Sequence, residues 1–155
     1  MRRDTEKYSK EQLAECEDLY QVANKNWRTP EAATALKVMM EKYPDVNRTG
    51  CAALYLAQYA SGDEQVNRLK DVIEKYSDCW YGNGAQVGAL ARFFLASNDL
   101  RAEKSDEAKA LFDQLERDYP DAITHKGVLI ANAVKQLRSG KPAASQSAGD
   151  SDPNR

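Results

Sequence analysis

Few side chains in this chain have types and spacings that could do chemistry. His125 is the only histidine among 155 residues, and it follows Pro120-Asp121 at the start of a helical pattern. There it reads as a surface or capping residue sooner than as a general base. Cys16, Cys51 and Cys79 are odd in number, so they cannot all pair within one chain, and none belongs to a C-x-x-C motif. They read as small buried hydrophobes, with Cys79, in the polar turn after Asp78, the one best placed to be a reactive thiol. Gly82-Asn83-Gly84 is too short to cradle a phosphate and makes a turn instead. No serine sits in a nucleophile-elbow context, and acid pairs such as Glu15 with Asp18 fit a solvated face. The expectation is a protein that is not an enzyme and carries no cofactor or metal.

Composition points the same way. Charged residues make up 30% and apolar ones 42%, with a formal net charge of −2. Nucleic-acid binding needs a concentrated basic face, which balanced charge does not supply. The longest apolar stretch, Val87 to Ala96, is interrupted by Arg92, and a membrane span needs about 20 apolar residues. Asp4, Glu6, Lys7 and Lys10 stand where the apolar core of a signal peptide would be. As written, the chain is expected in the cytoplasm, with the periplasm as the alternative if an export signal has been removed.

Helices must position everything else. Ser9 with Gln12 forms a capping box, followed by Leu13, Cys16, Tyr20, Ala23 and Trp27 in one apolar stripe. Thr29-Pro30-Glu31 opens a second helix that stops near Tyr43 before Pro44. Further helices are expected over 47–61, 64–76, around Leu90 to Leu95, 105–119 and 122–138, the last carrying Ile123, Gly127, Ile130, Val134 and Leu137 in one stripe. Residues 1–8 and the Pro-, Ala- and Ser-rich tail 140–155 lack the apolar residues to offset backbone ordering and are expected to be disordered, leaving one domain over 9–139.

One phrase recurs three times: Glu41-Lys42-Tyr43-Pro44-Asp45, Glu74-Lys75-Tyr76-Ser77-Asp78 and Arg117-Asp118-Tyr119-Pro120-Asp121. The tyrosines are 33 and then 43 residues apart. Leu36, Leu69 and Phe112 lie seven residues before their tyrosines, and Met39, Val72 and Leu115 four before. Ala32 and Ala108 lie eleven before, where the middle copy has Gln65. A period near 34 residues in a helical sequence signals stacked helix pairs. The longer second spacing is read as an insertion around Leu100 to Lys104.

With Ala108, Phe112 and Pro120 in the third copy and Ala32, Leu36 and Pro44 in the first, the chain resembles the tetratricopeptide-repeat family. Its tyrosine–proline–aspartate endings are similar to repeats of bacterial envelope proteins of the Tol–Pal coordinator and outer-membrane assembly lipoprotein type. The resemblance implies an all-α, right-handed solenoid of about three helix pairs with a C-terminal capping helix. It also implies a concave groove that binds a protein or peptide, with Gln21, Asn24, Tyr59 and Arg92 facing the ligand; the alternative is that these four are ordinary polar surface. Trp80 and Tyr81, in a loop, are either an exposed aromatic contact or tucked onto the core. The expected function is a non-enzymatic interaction module or assembly scaffold. The alternative is a structural protein that self-associates into a homo-oligomer through its terminal helix.

Overall fold

The computed structural model describes residues 2–139, and the tail assigned to 140–155 lies outside the described residues. Within them the chain forms α1 (Arg2–Lys7), α2 (Lys10–Lys25), α3 (Pro30–Lys42), α4 (Asn47–Tyr59), α5 (Gly62–Lys75), α6 (Val87–Arg101), α7 (Ser105–Asp118) and α8 (Ile130–Arg138). Local chemistry explains the first boundaries. The Ser9 hydroxyl accepts from the Gln12 N–H at 3.3 Å while the Gln12 side chain accepts from the Ser9 N–H at 2.9 Å. Both satisfy donors that the first turn of α2 leaves without a partner. Thr29 caps α3 through the Ala32 N–H, and Pro30 occupies the first turn.

Each repeated tyrosine has the same job. Tyr43, Tyr76 and Tyr119 are the C-caps of α3, α5 and α7, donating to the carbonyls of Met39, Val72 and Leu115 at 2.8, 2.9 and 3.0 Å. Their own carbonyls then accept from Val46, Cys79 and Ala122, so the chain turns the same way three times. Tyr43 is buried and the other two are half-buried, as packing residues at helix ends should be.

The connections inside each pair also share a device. Arg28 between α2 and α3, Gly62 at the first residue of α5, and Glu103 between α6 and α7 take positive φ values of 64°, 57° and 60°. Only one of the three is glycine. A non-glycine residue in this region costs roughly 1–2 kcal/mol, and the Arg28 N–H is held there by the Tyr55 hydroxyl oxygen at 2.9 Å.

The extra length of the last repeat is not where its sequence suggested. Ten residues join α5 to α6 after the Tyr76 cap is counted out, against three between Tyr43 and α4, so seven of the ten added residues lie in 77–86. Around Leu100 to Lys104 the helix and turn are only slightly longer than their counterparts. Segment 77–86 is a small hairpin: Tyr81 donates to the Ala85 carbonyl at 2.9 Å, Gly84 donates to the Tyr81 carbonyl at 3.0 Å, and Gly84 takes φ 86°. The same hairpin recurs before α8, where Thr124 donates to Val128 at 2.8 Å, Gly127 donates to Thr124 at 2.9 Å, and Gly127 takes φ 74°. The last helix therefore starts at Ile130 and not at Ala122, because a left-handed Gly127 ends any helical path through 123–129.

Packing follows the order of the chain. Each helix from α2 to α8 lies against the next, and α2 also touches α4, as α4 touches α6. Leu36, Leu69 and Phe112, with Met39, Val72 and Leu115, are all buried. Each such side chain contributes about 1.5–3 kcal/mol. Ala32 and Ala108 are buried as well. Gln65, which replaces them in the middle copy, is half-buried and accepts from the Asn98 amide of α6 at 2.8 Å. At the start of α6, Gly88 leaves no room for a side chain, since a Cβ would stand 2.7 Å from the Ser77 backbone.

The N-terminus departs from the expected disorder. α1 is a short helix whose Asp4 carboxylate accepts from the Asn47 N–H at 3.3 Å, capping α4 from a distance. Lys7 pairs with Asp45, and Tyr8 meets Tyr43 edge-to-face with ring centroids 5.7 Å apart. Polar and aromatic docking on the next repeat, rather than an apolar core of its own, holds it.

Below it, Glu15 accepts from Lys42 at 2.6 Å and from the Tyr43 hydroxyl at 2.5 Å. These two bonds, Lys42 first, hold its carboxyl below the ordinary value of 4.5. A depressed carboxyl contributes stability above the unfolded value and loses it as pH falls through the folded one. Melting temperature is therefore expected to fall as pH drops below 4.5, and Glu15→Gln to flatten that part of the profile in a thermal melt series.

Candidate binding surface

The residues expected to face a ligand have different surroundings. Gln21 is half-buried on α2, and its amide donates to Glu17 at 2.7 Å. Glu17 in turn receives the Arg48 fork at 2.7 and 3.0 Å, and the Arg48 guanidinium lies 4.6 Å from the Tyr20 ring centre. Gln21 thus belongs to a network tying α2 to α4. Asn24, one turn further along α2, is half-buried. Tyr59, near the end of α4, is 45% exposed.

Arg92 is not on an open face. It is 9% exposed, donating through Nη1 to the Gly88 carbonyl and the Ser77 hydroxyl at 3.0 Å each, with its guanidinium 5.1 Å from the Tyr119 ring centre. Its Nε is buried without a partner. The physical reason is that α6 lies between α5 and α7, so nearly every side chain along it is covered. The groove-facing position expected for Arg92 is corrected to that of a buried cation joining α6 to the ends of α5 and α7.

The two loop aromatics divide. Trp80 is 49% exposed, while the Asn47 side chain grips its backbone from both sides, accepting from its N–H at 2.7 Å and donating to its carbonyl at 2.8 Å. Tyr81 turns inward: its hydroxyl donates to the Cys51 carbonyl at 3.3 Å and its ring meets His125 edge-on at 4.5 Å. Burial raises its phenol well above the usual range. Asn83 then donates to the His125 carbonyl at 3.0 Å, so one hairpin is fastened to the next. His125 has this packing role. Among the described residues, no group of three or more His, Cys, Asp and Glu could hold a metal ion.

Sequence reasoning missed Trp27. The apolar stripe of α2 places it inward, but the helix stops at Lys25 and Asn26 caps it. Trp27 is 41% exposed and packs on Tyr55 with ring centroids 4.0 Å apart at 74°. Tyr55 is buried, and Tyr59 follows one turn later on α4. Trp27 thus lies just beyond the end of α2 against Tyr55, and Tyr59 is the last residue of α4. The cap at Asn26 is the signal that could have found this, because it turns position 27 out of the stripe.

Comparison with protein-family models, curated proteins and solved structures found no match. The protein is all-helical over its described residues, and no described helix is long and apolar enough to cross a membrane.

Proposed function

We propose that this chain is a tetratricopeptide-like α-solenoid working as a non-enzymatic protein-interaction module. It holds a peptide or partner helix against the face edged by Trp27 and Tyr59. Support for the solenoid comes from the packing order: each helix meets its neighbours, and α2, α4 and α6 form a continuous series. The observation that carries the binding reading is the exposure of Trp27, packed on buried Tyr55, and of Tyr59 one turn beyond Tyr55 on α4. Large, rigid aromatics of this kind are enriched among residues that dominate protein interfaces. Tyr59 and Asn24 are kept from the expected set; Arg92 and Gln21 act within the fold.

The self-association alternative rests on what the terminal helix and the hairpin before it leave exposed. Ile130 and Val134 are buried and Leu137 is half-buried, leaving Val128 and Leu129 of the hairpin as exposed apolar residues nearby.

Affinity capture of the full chain from its own cell extract tests the reading, with Trp27→Ala/Tyr59→Ala run alongside after melts confirm that both fold. A partner bound by the wild type and weakened by the variant is expected. The size expected is at least 2 kcal/mol for a dominant aromatic, on the order of thirtyfold in Kd. Equal capture by both forms overturns this placement, and recovery of the chain alone favours self-association.

A further inference from the structure

Cys51 and Cys79 belong to different repeats, yet each sulfur rests against the residue next to the other cysteine. Cys51 Sγ lies 3.5 Å from the carbonyl oxygen of Trp80, which follows Cys79. Cys79 Sγ lies 2.5 Å from where a Cβ on Gly50 would stand, and Gly50 precedes Cys51. We propose that Cys51 and Cys79 are a redox pair that closes into an intramolecular disulfide fastening α4 to the 77–86 hairpin when a low-molecular-weight disulfide is supplied.

Two further observations fit. Gly50 is the only residue type that leaves space for the Cys79 side chain at this approach. The Asn47 clamp on Trp80 holds the hairpin in register against α4, one helical turn below Cys51. Cys16, buried on α2, has its thiol against the Thr49 side chain of α4. Burial pushes the Cys51 thiol up to about 12, which opposes its thiolate and makes ring closure the slow step.

The order of steps follows from exposure. Cys79 is half-buried and Cys51 fully buried, so the external disulfide meets Cys79 first. With oxidised glutathione, the Cys79 thiolate attacks one glutathione sulfur, the S–S bond breaks, and one glutathione leaves as thiolate and takes up a proton. Cys51, deprotonated, then attacks the Cys79 sulfur of the mixed disulfide and expels the second glutathione. The protein loses two hydrogens and two electrons, and one glutathione disulfide becomes two thiols.

The test incubates the native full chain with oxidised glutathione at mildly alkaline pH, alkylates in denaturant and reads intact mass and tryptic peptides. The expected result is monomeric protein lighter by two hydrogens, with alkylatable cysteines reduced from three to Cys16 alone. A peptide of residues 49–68 should be linked to one of residues 76–92, and dithiothreitol should release it. Cys16→Ser should leave the linkage intact. A persistent glutathione adduct on Cys79, three alkylatable thiols, or a bond to Cys16 or to a second chain overturns the proposal.

Discussion

Phe112→Ala should lower the free energy of unfolding by about 3–5 kcal/mol, the largest loss expected from a single truncation here. Phe112 is 2% exposed, in the second half of α7, and it lines the groove shared with Leu100 and Leu137. The Arg138 guanidinium lies 5.8 Å from its ring centre and also reaches Asp113 at 2.5 Å. Removing the ring therefore empties core volume and loosens α8 together. Urea unfolding should show a lower midpoint at unchanged slope. A loss below about 1 kcal/mol, the range of surface substitutions, would contradict the packing of α8 on α7.

Two substitutions at Arg92 should act in opposite ways. Arg92→Glu puts a carboxylate against the Gly88 carbonyl, the face of Tyr119 and a Ser77 hydroxyl that already donates to the Ile73 carbonyl, so no donor at the site is free to pair with it. Breaking a buried charged site in this way costs about 3–5 kcal/mol. Arg92→Met fills similar volume, removes the unpartnered Nε and should stay close to wild-type stability or exceed it. The measurement is the pair of urea midpoints. An Arg92→Glu protein as stable as wild type would mean that Arg92 stands in solvent and that α6 is not covered on both sides.

These two positions also mark where the sequence was legible and where it was not. Phe112 was readable because burial repeats: Leu36 and Leu69 hold the same register before their own tyrosines, and a side chain that recurs at one offset has a packing reason. The caps at Ser9 and Thr29 were readable because they depend on three or four adjacent residues. Arg92 was not. The face a helix presents depends on what packs on it, and α6 carries apolar residues all round, so periodicity gives it no outer side.

The twin hairpins were hidden for a different reason. Apart from Asp78 and Asp121, residues 77–86 and 120–129 share only Gly84 and Gly127. The fold of a short hairpin rests on one left-handed residue and a few backbone bonds, and side chains around it vary freely. Gly127 consequently fitted a helical stripe on paper. Docking of α1 was likewise invisible, since Asp4 meets Asn47 and Lys7 meets Asp45 across 43 and 38 residues of sequence.

What the fold offers a partner is then a question of edges more than of a lined groove. Gln21 and Arg48 both bind Glu17, and Asn47 and Asn83 hold hairpins. Trp27 and Tyr59 are the large aromatics that stay exposed at neighbouring helix ends. Amide hydrogen exchange of the full chain, alone and with its captured partner, tests that placement most directly. Slowed exchange at residues 26–28 and 55–61 is the expected result. Slowed exchange confined to 80–86 and 123–129, with the α2 and α4 ends unchanged, would contradict it.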